Sequence, residues 1–119
     1  MSNLTNRLLK TIDYTGIANK RRENFTYLHS FLNETNELDL VLNDVEVPMV
    51  YPYLKAGNNA IRDELIQNNI YTATYWLNVK DWVENTEAVE NYLQENLMAL
   101  PIDQRVKSIH CNIIKHLLL

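Results

Sequence analysis

Hydrophobic residues recur at helical spacing along the first third of the chain. The apolar members of this pattern are Leu4, Leu8, Ile12, Ile17, Leu28 and Phe31. Residues spaced in this way share one face of an α-helix, and Gly16 is the one residue that interrupts the pattern. The pattern therefore predicts a long N-terminal helix over residues 1–33, bent at Gly16.

In the next segment, residues 34–46, the helical spacing of apolar residues gives way to a sequence rich in polar residues. Its acidic residues are Glu34, Glu37, Asp39, Asp44 and Glu46. Asn, Asp and Thr side chains compete for backbone hydrogen bonds and favour turns, so the segment is predicted to be an acidic loop. A short strand at Asp39–Leu42 is an option within it.

Three later segments have the residue types of β-strands. Val47–Leu54 contains two prolines, which confine it to the edge of a sheet or to a strand that starts at the first proline. Ile70–Trp76 is rich in Tyr, Thr and Trp, and it follows a turn signal at Asn68-Asn69. Leu97–Leu100 is a short apolar run ended by a proline. We expect about three strands, in a mixed or an antiparallel sheet.

Helices are predicted between and after these strands. Gly57-Asn58-Asn59 precedes one helix, Asn85-Thr86 can cap the next, and Asp103 can cap the last. The apolar stripe expected on the last helix comprises Val106, Ile109, Ile113, Ile114 and Leu117. The fold class is therefore α+β: one domain over residues 1–119, with a sheet and helices in residues 47–119 packed by the long N-terminal helix.

Charge and cysteine content limit the classes of partner. The formal net charge is −4, so the chain lacks the basic field that drives nucleic-acid binding. No apolar run approaches the length of about 20 residues that spans a bilayer, and we expect no membrane association. The single cysteine, Cys111, cannot form an internal disulfide, which favours the reducing cytoplasm.

Candidate chemistry is sparse. His110 and Cys111 are adjacent and point about 100° apart on a helix, which disfavours a metal site. Cys111 lies in an apolar helix and is interpreted as a small core hydrophobe. The aromatic residues Tyr71, Tyr75 and Trp76 are candidates for a ligand-stacking surface, although packing between sheet and helix remains the simpler interpretation.

A series of short motifs occurs in one order along the chain. The motifs are Arg21-Arg22-Glu23-Asn24-Phe25, Val47-Pro48-Met49-Val50-Tyr51-Pro52-Tyr53, Ile61-Arg62-Asp63-Glu64-Leu65, Asn69-Ile70-Tyr71, Ala73-Thr74-Tyr75-Trp76 and Leu100-Pro101-Ile102-Asp103-Gln104-Arg105. Together they resemble the C-terminal small domain of the DegT/DnrJ-type sugar aminotransferases, fold type I enzymes that depend on pyridoxal phosphate (PLP). The resemblance covers nearly the whole chain.

The resemblance implies a small domain that borders an active site without containing its chemistry. In the family, the Schiff-base lysine and the aspartate that pairs with the pyridine nitrogen belong to the large domain, which would precede Met1. None of the six lysines of this chain matches the Schiff-base position. The resemblance implies that Tyr71, Tyr75 and Trp76 lie nearest a sugar substrate, and that no catalytic, cofactor-binding or metal-binding residue lies in this chain.

Two functions remain open at this point. We favour a non-catalytic stand-alone domain that acts as a binding or interaction module. The alternative is the C-terminal fragment of a split aminotransferase, which needs a separately encoded PLP-binding large-domain protein as its partner. A homodimer is a further expectation for the assembly, because an isolated small domain retains apolar surface that self-association can cover.

Overall fold

The computed structural model describes residues 2–82, 84 and 88–119. Within these ranges the chain forms helices α1 (Asn3–Lys10), α2 (Tyr14–Leu32), α3 (Asn58–Gln67), α4 (Val79–Trp82), α5 (Val89–Asn96) and α6 (Ser108–Leu118), and strands β1 (Val50–Leu54) and β2 (Leu97–Pro101). The four residues of α4 make a single turn, and the other helices have eight or more residues. The α+β class predicted from the sequence is confirmed.

The prediction of one long N-terminal helix is wrong, because the helix breaks at residues 11–13. Asp13 occupies the N-cap of α2, and its carboxylate accepts a hydrogen bond from the Gly16 N–H at 2.9 Å. A Cβ at Gly16 would collide with that carboxylate, so a larger residue at this position would require the Asp13 side chain to shift. Gly16 therefore helps to start α2 instead of bending a longer helix.

The sheet has two antiparallel strands in the described part of the chain, and the prediction of about three strands is wrong. Tyr51 pairs with Leu100 in the β1–β2 register. The predicted strand Ile70–Trp76 contributes only an isolated antiparallel bridge between Ala73 and Ala99. Positive φ angles at Asn69 (61°) and Trp76 (54°) turn the backbone out of the extended conformation at both ends of this segment. Residues 39–42 form no strand.

β1 is an edge strand, as Pro52 predicts, and it starts at Val50, two residues after Pro48; a side chain covers its outer edge. The Asn36 amide nitrogen donates to the Pro52 carbonyl, and the Asn36 amide oxygen accepts from the Leu54 N–H, each at 3.0 Å. The side chain of Asn36 thus replaces the backbone of a neighbouring strand. These bonds satisfy polar groups that an exposed edge would leave unpaired.

The core lies between the sheet, α2 and α6. Tyr51 and Tyr53 alternate with Pro52 and therefore share one face of β1, where both are completely buried. The Tyr51 hydroxyl lies 2.9 Å from His29 Nδ1, and the Tyr53 hydroxyl lies 2.9 Å from Thr35 Oγ1. Burial raises the pKa of Tyr51. The Tyr51 phenol therefore stays neutral, and both hydroxyls are hydrogen-bonded inside the core.

The last helix starts later than predicted, but most of its predicted apolar stripe does face the core: Ile114 is buried, and Ile113 and Leu117 pack partly buried against the core. Lys107 occupies the N-cap of α6, while the Asp103 carboxylate accepts from the Arg105 N–H at 2.8 Å. The buried residues of α6 are Cys111, Ile114 and Leu118. Ile109, predicted to be in the core, is exposed. The predicted cap at Asn85-Thr86 lies outside the described residues; α5 has Ala88 at its N-cap.

Candidate functional site

Of the three predicted ligand-contacting residues, Tyr71 and Trp76 are exposed and Tyr75 is half-buried, and the three do not form one surface. Tyr71 is 68% exposed and Trp76 is 61% exposed. The rings of Tyr75 and Trp76 lie 5.7 Å apart and are tilted by 49°. Among the described rings, no ring contact joins Tyr71 to either of them. The shared face expected from strand alternation is missing, because this segment does not form a strand.

Tyr71 instead lines an open cleft of about 300 Å³ at the start of α6, which has both polar and apolar walls. The cleft is lined by Asn69, Ile70, Tyr71, Pro101, Asp103, Arg105, Val106 and His110. Arg105 Nη2 lies 3.0 Å from Asp103 Oδ2, and this hydrogen-bonded contact lowers the pKa of the Asp103 carboxyl. Sequence reasoning identified Tyr71 but did not connect it with Arg105 or His110, which come from a distant part of the chain.

The hydrogen bonds around this cleft define its chemistry. His110 Nδ1 accepts from the Lys107 N–H at 2.9 Å, which leaves Nε2 as the donor of a neutral imidazole. The Arg105 guanidinium and the Tyr71 hydroxyl are further donors on exposed side chains. The cleft can therefore offer hydrogen bonds to a small hydroxylated or anionic molecule.

The first motif of the resemblance has a structural role in this chain. Asn24 is buried in α2, and its Nδ2 donates to the carbonyls of Ile102 and Asp103, each at 3.1 Å. Arg22 Nε donates to the Glu46 carbonyl at 2.8 Å, and Arg21 Nη1 donates to the Pro48 carbonyl at 3.4 Å. The motif thus joins α2 to the acidic loop and to the segment that precedes α6.

A second pair of motifs is joined by Arg62 on α3. Its Nη1 donates to Thr74 Oγ1 at 2.8 Å, and its Nη2 donates to the Leu97 carbonyl at 3.3 Å. Arg62 therefore links the segment that contains Tyr75 and Trp76 to the end of β2. These bonds give the aromatic segment a fixed position beside the sheet.

Cys111 has the packing role predicted for it. It is a free cysteine, 1% exposed, and burial raises the pKa of its thiol. A buried thiol with a raised pKa is a poor nucleophile at neutral pH. Over the described ranges, no group of three or more His, Cys, Asp or Glu residues is placed to hold a metal ion.

Helix α1 exposes all of its apolar side chains. Leu4 and Leu8 lie within about 40° of one another around the axis of α1. Ile12 follows the end of the helix, and we call Leu4, Leu8, Leu9 and Ile12 together the α1 stripe. Leu4 is 68% exposed and Leu8 is 58% exposed, and α1 has no buried residue. The radius of gyration is 16.6 Å, against about 13–14 Å for a compact domain of this length. α1 therefore adds length to the chain without adding to its core.

A second apolar surface lies along the acidic loop. We call it the loop groove; it encloses about 440 Å³, and its apolar lining includes Phe25, Leu40, Val41, Leu42, Val47 and Met49. Val41, Val47 and Met49 are exposed. The sequence contains a signal for this surface, because apolar residues are interspersed among the acidic ones, but we interpreted the segment only as a polar loop.

No protein-family model, no curated protein and no solved structure matches this chain. The function must therefore be argued from the geometry of the chain itself. None of the described helices is both long enough and apolar enough to cross a membrane. The surfaces that carry functional information are the α1 stripe, the loop groove and the cleft beside Tyr71.

Proposed function

We propose that this chain is a non-catalytic interaction module that docks through the α1 stripe. The single observation that carries this proposal is that α1 has strong amphipathic character and no buried residue. A contiguous exposed apolar surface on a soluble protein is typical of a contact site. Free cysteine usage fits a reducing compartment, and we expect the module to act in the cytoplasm.

The length of α1 supports docking. Isolated helices shorter than about 12–15 residues are marginal in water. α1 has eight residues, and packing in proteins normally supplies most of the stability of such a helix. A partner that covers Leu4 and Leu8 would supply this packing. The cleft beside Tyr71 gives the module a separate place for a small ligand.

The test of this proposal compares two faces of the same helix. In the variant Leu4→Asp/Leu8→Asp, two charges are placed on the α1 stripe, and in the control Asn3→Asp/Asn6→Asp the same charges are placed on the opposite face. Sedimentation velocity of each purified chain, alone and with candidate partners, measures complex formation. We expect the first variant to lose complexes that the control retains. Equal assembly of both variants would contradict the proposal.

The split aminotransferase is a second candidate, favoured by the order of the resemblance motifs and by the exposed rings of Tyr71 and Trp76. In this case the α1 stripe packs on a separately encoded large-domain protein, and PLP enters only with that partner. Co-purification of the two proteins, with an imine absorbance band that the large domain alone lacks, would support this candidate. Co-expression that yields no complex would remove it.

The non-catalytic part of the proposal has its own test. The purified chain is incubated with PLP, reduced with borohydride and mapped by mass spectrometry. Surface lysines react weakly and at several positions, so we expect sub-stoichiometric labelling spread along the chain. Stoichiometric labelling of one lysine would show a dedicated Schiff-base site and would overturn the assignment.

A further inference from the structure

The chain carries two separate apolar surfaces that it does not use to cover each other. One is the α1 stripe, and the other is the loop groove beside α2 and β1. Because every residue of α1 is exposed, α1 does not fill the groove of its own chain. A second copy of the chain offers a groove for the α1 stripe and a stripe for the loop groove.

The charges beside the two surfaces have opposite signs. α1 carries Arg7 and Lys10 and no acidic residue. Residues 34–46 carry five acidic residues and no basic one. The nearby Arg21 and Arg22 of α2 are engaged by loop carbonyls, which holds the loop in place. Complementary potentials of this kind guide association and register.

The acidic side chains of the loop remain accessible to a partner. Asp39, Asp44 and Glu46 are exposed. Glu46 is used locally, because its carboxylate accepts from the N–H and the side-chain amide of Asn43, each at 3.1 Å. On the other surface, Arg7 borders the α1 stripe about 60° from Leu4 around the helix. Arg7 is therefore the basic residue closest to an occupied groove.

From this complementarity we infer that two copies of the chain exchange their α1 helices, each placing its α1 stripe in the loop groove of the other. This inference rests on the proposed function of α1 as a docking helix and names its partner. A two-fold dimer uses the same surfaces on both copies, so one arrangement covers both stripes and both grooves. Stable interfaces bury about 1,200–2,000 Å², and reciprocal docking doubles the area that one eight-residue helix can supply.

The first experiment tests each surface with a matched control in the full chain by sedimentation equilibrium. Leu8→Asp alters the stripe, and Asn6→Asp adds the same charge on the opposite face. Val41→Asp alters the groove, and Val45→Asp adds the same charge at an exposed loop residue outside the groove lining. We expect the wild type and both controls to dimerise, and Leu8→Asp and Val41→Asp each to raise the dimer dissociation constant at least tenfold.

The second experiment mixes the two defective chains. A mixed dimer of Leu8→Asp and Val41→Asp chains contains one intact stripe facing one intact groove, whereas either homodimer contains none. We expect the mixture to form a heterodimer under conditions where each variant alone is monomeric. Failure of the mixture to form the heterodimer would overturn the exchange. So would a Val41→Asp chain that still dimerises by itself while Leu8→Asp does not, an outcome that would indicate stripe-to-stripe packing.

A charge reversal tests the electrostatic part. Arg7→Glu and Asp44→Lys should each weaken the dimer about two- to fivefold, and the combination should return the dissociation constant toward that of the wild type.

A wild-type chain that stays monomeric at all concentrations, while α1 binds anionic vesicles or a large-domain protein, would overturn the exchange but leave the proposed function intact. Wild-type assembly in the Leu8→Asp chain would contradict both.

Discussion

The helices nearest the two ends of the described chain both carry apolar residues at helical spacing, but their surroundings are opposite. α1 and α6 are both short and carry leucine or isoleucine at helical spacing. α6 buries Cys111, Ile114 and Leu118, whereas α1 buries no residue. The comparison shows that periodicity predicts an apolar helical face but does not identify the surface that covers it.

The difference follows from how each helix is connected to the core. The segment before α6 is held by Asn24 of α2, which binds two of its carbonyls, so α6 begins against the body of the protein. α1 is followed by Thr11-Ile12-Asp13, where Asp13 caps a new helix and ends any continuity with α2. α1 is therefore free to pack on another molecule.

The largest expected effect comes from shortening matched side chains in the two helices. Ile114→Ala removes a completely buried side chain from α6 and should lower the free energy of unfolding by about 2–5 kcal/mol. Leu8→Ala removes a largely exposed one and should change it by less than about 0.5 kcal/mol in the monomer. Urea denaturation, at a chain concentration too low for dimerisation, measures the free energy of unfolding of both variants. Equal losses would mean that α1 is part of the core.

The next largest effect tests the anchor that orients α6. Asn24→Ala leaves the carbonyls of Ile102 and Asp103 without their donor, and it should destabilise the chain by about 1–3 kcal/mol. Asn19→Ala changes an exposed asparagine of the same helix and is the control. The denaturation midpoints of both variants provide the comparison. If the two variants have the same denaturation midpoint, Asn24 does not fix the position of α6.

The smallest expected effect is the pH dependence contributed by Asp103. The Arg105 side chain lowers the pKa of this carboxyl below its usual value, so the charged form is favoured by folding. This stabilisation is present above about pH 4 and is lost as the pH falls through the folded pKa. Asp103→Asn should therefore flatten the acid side of the stability profile, and Asp63→Asn, at an exposed position of α3, is the control. An unchanged pH profile of stability in Asp103→Asn would exclude a role for the Asp103–Arg105 pair.

Several elements could be predicted because local chemistry determines them. Pro52 restricts β1 to a sheet edge, Gly57 adopts a positive φ of 85° just before α3, and Asn69 forms the turn that ends it. The break after α1 was missed, because Ile12 extends the apolar period and conceals the cap at Asp13. Apolar periodicity depends only on the apolar positions, so it does not reveal a carboxylate that caps the start of a new helix.

Contacts between distant residues explain the other differences. Asn36 covers the edge of β1, and Tyr71 lines the same cleft as Arg105, although these partners are well separated in sequence. The aromatic segment was predicted to be a strand from its residue types, but Trp76 adopts a left-handed backbone conformation. β-propensity depends on neighbouring strands, so composition alone cannot determine whether such a segment pairs.

Amide hydrogen exchange of α1 as a function of chain concentration tests the central claim most directly. A helix of eight residues with no packing partner should exchange quickly in the monomer. We predict that protection of residues 3–10 rises with chain concentration, in step with dimer formation, and is lost in Leu8→Asp. Rapid exchange at every concentration, or protection already complete in the dilute monomer, would contradict the account.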